Sequence, residues 1–270
     1  MVGRPAAYSS VVLVMLPPSE GKTAARRGTP VDLDTLSSPA LSPVRRKVAE
    51  ALAEVSARDD ALGVLGVGAS LADEVARNAG VLAQPAAPAK KVYSGVLYAA
   101  AGLDRLTPTA RARAAGSVRI VSALWGVVTP EDVVPAYRLP MGTDLPGIGP
   151  LAPAWRGPLS EVLDPQADGA LVVDCRSAAY LAAWTPPRSA DWVTVRVERE
   201  LDGTRSVVSH NAKHARGVLT RHLLTRRGHA PKDAEHLARV ARELVGREVL
   251  DVELSPARAR GARVLTLVVA

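Results

Sequence analysis

The chain has 270 residues, of which 47% are hydrophobic, enough for one large domain or two small ones with a sizeable core. Its formal net charge is +7 and most of the positive charge is arginine, which suits an anionic partner and a solvated basic surface equally well. The single cysteine, Cys175, excludes an internal disulfide framework, and without an apolar run of the ~18 residues that span a bilayer we expect a cytoplasmic protein that does not enter a membrane.

The first predicted element is a strand over residues 11–16, preceded by residues 1–10, which we expect to be a disordered leader. The strand runs towards Gly21-Lys22-Thr23, which is how a phosphate-binding P-loop ends. However, Leu16 stands where a P-loop has glycine, and the two prolines that follow it have no N–H to offer a phosphate. The sequence therefore favours another role for the polar residues at the end of this strand.

A helix is predicted over residues 42–57, where an N-cap serine and a proline begin a segment with apolar residues at helical spacing. The next segment, residues 64–72, matches the helix-hairpin-helix pattern, in which two glycines flank a hydrophobic residue. Such a hairpin brings backbone N–H groups against a DNA phosphate without reading the bases. We take residues 42–84 as a small helix-hairpin-helix subdomain with candidate DNA contacts at Gly66, Val67, Gly68 and Ser70. An ordinary glycine-rich turn between short helices explains the pattern about as well.

The rest of the chain alternates strands and helices without an even period. This predicts one mixed α/β domain over residues 11–270, with a central mixed sheet flanked by helices. Asp202-Gly203 is typical of a hairpin turn, and Thr129-Pro-Glu-Asp132 predicts the start of a short helix. Residues 139–150 are predicted to be loop. The remaining predicted strands cover residues 118–124, 170–175, 192–198, 205–209, 249–254 and 264–269, and the remaining helices cover residues 155–163, 211–226 and 232–244.

The predicted helix over residues 211–226 carries a candidate anion-binding face. Lys213, Arg216 and Thr220 fall on neighbouring turns of one side, although a solvated basic face explains them equally well. His210 and His214 stand four residues apart, but no carboxylate accompanies them, so no metal site is predicted. Cys175 ends a buried strand and is expected to be a small core residue.

Three strings in this chain are similar to those of the YaaA peroxide-stress family: Tyr93-Ser-Gly-Val-Leu, Pro135-Ala-Tyr-Arg-Leu-Pro-Met-Gly142 and Ala212-Lys-His-Ala-Arg-Gly217. They occur in the family's order, and the likeness covers nearly the whole chain from residue 11. The chain departs from the family in Ala136, in an inserted Glu20-Gly21, and in residues 174–180, where an acidic residue usually precedes the tyrosine.

The resemblance implies a cytoplasmic protein that limits oxidative damage under peroxide. It also implies a mixed α/β fold, a positively charged cleft and a helix-hairpin-helix that binds double-stranded DNA non-specifically. No settled chemistry and no cofactor follow from it. Ser19, Lys22 and Thr23 would then lie at the mouth of the cleft, at the carboxyl end of a central strand, where open α/β sheets bind ligands.

A second hypothesis is an enzyme that acts on a nucleotide or another anionic small molecule in the cleft. Its candidate catalytic side chains are Lys22, Ser19, Arg138 and Tyr137, and its candidate ligand-binding side chains are Thr23, Lys213, Arg216 and Thr220. Arg138 would clamp an oxyanion, and Lys22 would supply a positive charge or, if desolvated, a base. The cleft and the turn at Gly66-Val67-Gly68, called here the glycine hairpin, are expected to be two separate sites. A third hypothesis, iron sequestration, has little support because no cluster of ligand residues is visible.

Overall fold

The computed structural model describes residues 12–201, 203–207, 210–257 and 261–270. The predicted leader at residues 1–10 lies outside them, as does Asp202 of the predicted hairpin turn. The side chain of His210, one of the two histidines noted in the sequence, is also outside the described part.

The described residues form one mixed α/β domain around a large sheet, as predicted. The β-strands are β1 (Val12–Leu16), β2 (Ala87–Pro88), β3 (Val118–Ser122), β4 (Gly126–Val128), β5 (Val133–Val134), β6 (Asp144–Leu145), β7 (Gly149–Pro150), β8 (Leu171–Asp174), β9 (Asp191–Leu201), β10 (Thr204–Val207), β11 (Asp251–Leu254) and β12 (Arg263–Val269). The α-helices are α1 (Ser42–Ser56), α2 (Ala61–Val64), α3 (Ala72–Asn78), α4 (Ala89–Val92), α5 (Val96–Ala101), α6 (Pro108–Ser117), α7 (Leu151–Ala167), α8 (Ala178–Leu181), α9 (His210–Thr225) and α10 (Ala234–Arg242).

The large sheet has the strand order β11-β12-β9-β8-β1-β3-β4, and β10 also pairs with β9. The pairs β1–β3, β1–β8, β8–β9 and β9–β12 are parallel, whereas β3–β4, β9–β10 and β11–β12 are antiparallel. All five residues of β1 are buried, as expected for an apolar run in the middle of a parallel sheet. The carboxyl ends of β1, β3 and β8 therefore meet at one edge, which is where the candidate site lies.

Helices α5 and α9 pack directly against each other beside the site. A side chain at Gly217 on α9 would collide with the backbone oxygen of Leu97 and approach the Cβ of Ala100 to 2.7 Å. Glycine is thus required sterically, because it lets the two backbones meet. This contact fixes the position of α9, and with it the predicted basic residues, against the loop that follows β1.

Three details of the predicted elements were wrong. Helix α1 begins at Ser42, but this hydroxyl donates to Leu33 O at 2.9 Å and does not cap the helix. Thr129–Asp132 is a turn and not a helix, since the carbonyls of Pro130 and Asp132 accept from Lys90 N and Ala89 N. The helix predicted over residues 155–163 is longer: it runs for 17 residues from Leu151 to Ala167, although Pro153 lies near its start. A proline there sacrifices no hydrogen bond, because N–H groups in the first turn of a helix have no intrahelical partner.

The remaining predicted strands and helices are present, with ends that differ by a few residues. The predicted hairpin is confirmed as β9 and β10, which pair antiparallel with Thr204 opposite Leu201. The region predicted as loop between residues 139 and 150 contains the small hairpin of β6 and β7. None of the helices in the described ranges combines the length and the apolar character that a membrane crossing requires.

Candidate functional site

A cavity of about 670 Å³ opens at the carboxyl ends of β1 and β8. Ser19 and Lys22 line it, at the position predicted for them beyond a central strand. The lining also contains Gly66, Val67, Gly68, Ser94, Tyr98, Arg138, Ser177, Tyr180, Lys213 and Arg216. Thr23, Tyr137, Thr220 and Ser70 were predicted to belong to the sites but are not part of this lining.

The loop after β1 is held against the segment that begins α5. Ser19 Oγ accepts a hydrogen bond from Ser94 N at 2.9 Å and donates to Gly21 O at 2.5 Å. Lys22 forms an isolated antiparallel bridge with Tyr93, and Thr23 N donates to Val92 O at 2.8 Å. The backbone around Lys22 is therefore fixed by contacts that do not involve its side chain. The P-loop alternative is excluded because no helix follows β1 directly.

The ammonium group of Lys22 lies among aromatic rings. Its Nζ is 4.4 Å from the ring centroid of Tyr137 and 5.7 Å from that of Tyr93, and it donates to Ser19 O at 2.7 Å. Burial is the main cause that lowers the pKa of Lys22 from 10.5 to about 7, and the positive charge of Arg138 lowers it further. Near neutral pH, a substantial fraction of the molecules therefore carries an uncharged amine at this position.

Two carboxylates act on Lys22 from a distance, but each lies closer to another cation. Glu74 is 3.7 Å from Arg138 Nη1, and Glu20 is 3.2 Å from Lys213 Nζ. Their charges raise the pKa of Lys22 by less than burial lowers it. The cavity lining contains four basic side chains, Lys22, Arg138, Lys213 and Arg216, and a single acidic one, Glu20.

The backbone of Arg138 is hydrogen-bonded to the side-chain amide of Asn78 on α3, the helix that follows the glycine hairpin, and sequence analysis missed this contact. Asn78 Nδ2 donates to Arg138 O at 2.8 Å, and Arg138 N donates to Asn78 Oδ1 at 2.9 Å. Asn78 is fully buried at the end of α3. The guanidinium of Arg138 also donates to Glu20 O at 3.0 Å, so this one residue links the hairpin to the loop of Lys22.

Tyr137, a predicted catalytic candidate, lies behind the cavity lining and contacts the site through the amine of Lys22. Its hydroxyl lies 2.6 Å from Ser122 Oγ and 3.2 Å from the hydroxyl of Tyr93, and the residue is buried. Burial raises the pKa of Tyr137 well above 10, so the phenol stays protonated. The ring of Tyr137 packs against the amine of Lys22, and Tyr93 and Ser122 complete a network that the sequence did not indicate.

The three residues of the predicted anion-binding face of α9 lie in different surroundings: Lys213 and Arg216 line the cavity, whereas Thr220 does not. Lys213 is exposed and reaches Glu20, whereas the guanidinium of Arg216 donates twice to Val195 O, at 2.8 and 3.1 Å. Thr220 is fully buried and donates to Arg216 O at 2.8 Å. Thr220 therefore lies away from the cavity, because this side of the helix packs against the sheet. Thr23 is exposed but lies outside the cavity.

The glycine hairpin forms one wall of the same cavity. It turns at Gly66, which has φ +61°, and Val67 N donates to Leu62 O at 3.0 Å to close the end of α2. A single 3₁₀ turn, Ala69–Leu71, then leads into α3, and the exposed Ser70 on this turn is not in the cavity lining. The expectation of two separate sites is corrected, since the hairpin and the basic side chains line one space.

Asp174, the acidic residue that precedes Tyr180 in the sequence, pairs with Arg176. Asp174, at the end of β8, forms a fully buried ion pair with Arg176, with 2.6 Å between Oδ2 and Nη2. Arg176 also donates to Tyr180 O and Trp184 O, which orders the segment that carries Ser177 and Tyr180 into the cavity.

Burial raises the pKa of the neighbouring Cys175 thiol to about 12, so this cysteine is an uncharged core residue. Within the described ranges, no group of three histidine, cysteine, aspartate or glutamate residues is placed to hold a metal ion.

Comparison with known proteins gives a consistent family. The family model described as peroxide stress protein YaaA matches residues 12–243. A UPF0246 protein of Streptomyces coelicolor is 45% identical over 237 residues, covering 86% of this chain and 90% of the relative. A UPF0246 protein of Corynebacterium efficiens is 41% identical over 261 residues, covering 96% of this chain and 100% of the relative. The chain therefore belongs to the YaaA peroxide stress protein family, as the strings around Tyr93, Arg138 and Lys213 predicted.

Proposed function

We propose that this protein binds DNA non-specifically through one continuous surface, made of the glycine hairpin and the mouth of the cavity, and so limits oxidative damage under peroxide. The observation that carries the proposal is the shared lining: Gly66 and Gly68 border the same space as Lys22, Arg138 and Lys213. The family's description as a peroxide stress protein supports the biological role.

The electrostatics of the surface favour a polyanion. Four basic side chains and one acidic side chain line the cavity, and the whole chain carries a formal charge of +7. Neutralising backbone phosphates with such groups releases counterions, which supplies most of the affinity in non-specific DNA binding. The N–H groups of Gly66 and Val67 already donate to Gly63 O and Leu62 O, so the hairpin's backbone contacts to phosphate would come from the 3₁₀ turn that follows Gly68, without reading the bases. Together these contacts predict binding with little sequence preference.

The experiment is fluorescence anisotropy with a labelled duplex and a duplex containing an unpaired bubble, at several salt concentrations. Gly68→Leu is the test variant. Gly68 has an ordinary extended backbone, and a Cβ there would meet no other atom within 4 Å, so a leucine adds bulk to the surface without straining the turn. We expect the affinity for DNA to fall about tenfold, equivalent to roughly 1.4 kcal/mol.

Gly63→Leu is the matched control, because Gly63 lies on the same hairpin, also has open space around it and does not line the cavity. It should bind DNA as the unmodified protein does. Equal losses in both variants would attribute the effect to the fold of the hairpin. Wild-type affinity that does not change between low and moderate salt would contradict the proposal.

A second candidate function is favoured by the dimensions of the cavity and by the perturbed lysine in it. A volume of about 670 Å³ is typical of small-molecule sites, which are pockets of roughly 300–1,000 Å³. The residues would bind a nucleotide or another phosphorylated or carboxylated molecule. A thermal-shift screen of such anions tests this function, since a ligand at 100 times its Kd stabilises a protein by about 2.7 kcal/mol. The absence of any shift would contradict it.

A further inference from the structure

The side chain of Lys22 is not needed to hold its loop in place. Its amine donates to Ser19 O, three residues away in its own loop, while the carboxylates of Glu74 and Glu20 pair with Arg138 and Lys213. The loop is already held by the Ser19–Ser94 hydrogen bond and by backbone pairing with the segment of Tyr93. A half-buried lysine without its own carboxylate destabilises a fold, so its presence on a cavity wall points to chemistry.

The geometry gives this amine the properties of a nucleophile. The rings of Tyr137 and Tyr93 exclude water from one side of Nζ, and Arg138 disfavours a second positive charge nearby. Desolvation and a neighbouring cation are the two means by which proteins keep a lysine uncharged for attack on a carbonyl group. Because Lys22 also lines the cavity, a ligand bound there has access to the residue.

We propose that Lys22 is a nucleophile that condenses with the aldehyde of a phosphorylated sugar bound in the cavity, while Arg138 and Lys213 hold the phosphate. This inference rests on the proposed function for one of its two sources of aldehyde, the ring-opened sugar of an abasic site in DNA. The other source is a free sugar phosphate. Both present an aldehyde a few bonds from a phosphate, and the cavity places an amine beside two cations.

The reaction balances without an oxidant or a reductant. The lone pair of the uncharged amine attacks the aldehyde carbon, the C=O double bond becomes a C–O single bond, and a proton passes from nitrogen to the former carbonyl oxygen. Loss of that oxygen as one water molecule, with the second amine proton, forms a carbon–nitrogen double bond between the sugar and Lys22. The product is an imine, which is reversible in water and becomes permanent when borohydride delivers a hydride to its carbon.

The test uses sodium borohydride to trap the imine on the full-length protein. One arm contains a duplex with a single abasic site, and the other contains 2-deoxyribose 5-phosphate. Intact mass and peptide mapping locate the adduct. We expect a single adduct on Lys22, whose yield rises with pH and is half-maximal near pH 7, in line with the lowered pKa of this amine. Exposed lysines react only as pH approaches their usual pKa of about 10.4.

Two arginine substitutions provide the comparison. Lys22→Arg keeps the positive charge and removes the nucleophile, so the adduct should be lost. Lys91→Arg changes an exposed lysine outside the cavity and should leave the yield unchanged. If Lys22→Arg does not fold, the peptide map and the pH profile of the wild-type protein still decide the question. Adducts spread over surface lysines with no excess at Lys22, or no adduct in either arm, would overturn the inference.

The two arms also separate this inference from the proposed function. An adduct with the sugar phosphate alone supports a nucleophilic Lys22 and excludes abasic DNA as its substrate. An adduct with abasic DNA supports both. Loss of the adduct in both arms, together with normal anisotropy on intact duplex, overturns the inference and leaves DNA binding in place.

Discussion

Replacing Lys22 with methionine should stabilise the protein, and the gain should depend on pH. Methionine has nearly the length of lysine but carries no charge, so it removes the cost of burying an ammonium group between tyrosine rings. The folded protein binds a proton at Lys22 less readily than the unfolded chain does. Where the unfolded chain binds more protons, stability rises with pH. For Lys22 this window extends from about pH 7 to the usual lysine value of 10.5.

The magnitude follows from the two pKa values. Below pH 7 the destabilisation is fully present, and a fall of the pKa from 10.5 to about 7 corresponds to roughly 5 kcal/mol. At about pH 9 the unfolded chain still binds the proton and the folded protein does not, so roughly 2 kcal/mol remains. The advantage of Lys22→Met should therefore shrink by roughly 2–3 kcal/mol between about pH 6 and pH 9. The contacts that the amine loses change the free energy of unfolding at both pH values by a similar amount, so they hardly affect the difference between the two.

Urea denaturation at these two pH values, followed by circular dichroism, measures the free energy of unfolding for both proteins. Lys213→Met is the matched control, because it removes a lysine of the same cavity whose side chain is half exposed. Its effect on stability should be the same at both pH values. If the effect of Lys22→Met is also independent of pH, Lys22 is charged in the folded protein and the argument for an uncharged amine fails.

Three further substitutions test the contacts around the site. Gly217→Ala places a Cβ against the backbone of Leu97 and should lower the free energy of unfolding by about 1–3 kcal/mol in urea, whereas an unchanged value would show that α5 and α9 can separate freely. Asn78→Ala removes both hydrogen bonds to the backbone of Arg138 and should cost about 2 kcal/mol, with faster amide hydrogen exchange over residues 61–78. Unaltered exchange there would mean that the amide pair does not hold the hairpin. Tyr137→Phe keeps the aromatic ring and loses only the hydroxyl, so the borohydride adduct should form as before, and loss of the adduct in a stably folded variant would give the hydroxyl a role in the reaction.

The sequence predicted those parts of the fold that depend on local pattern. The apolar run of β1, the helical spacing of α1 and the turn signal before Gly203 each specify one element, and all three are present. Thr129–Asp132 shows where this fails. It has a helix-start pattern, but backbone N–H groups some forty residues earlier in the chain take its carbonyl oxygens. Such partners are invisible to a local pattern.

The candidate site was predictable to the extent that single residues carry a signal. Ser19 and Lys22 were identified at the end of a buried strand and Arg138 in a string that resembles the YaaA family, and the structure brings the three together. The amide pair from Asn78 joins segments 60 residues apart, so no spacing in the sequence announces it. The burial of Thr220 outside the cavity could not be predicted, because helical periodicity tells which residues share a face but not which face packs on the sheet.

The salt dependence of DNA affinity for Lys213→Ala tests the central claim, that the cavity and the hairpin form one DNA-binding surface. Log affinity should fall with log salt, and a lysine that contacts one phosphate contributes about 0.9 to that slope. We expect the slope for Lys213→Ala to be shallower than that of the wild-type protein by about this amount, while Lys91→Ala, outside the cavity, keeps the full slope. A slope for Lys213→Ala equal to the wild-type value would contradict the claim, because the cavity would then lie outside the DNA-binding surface.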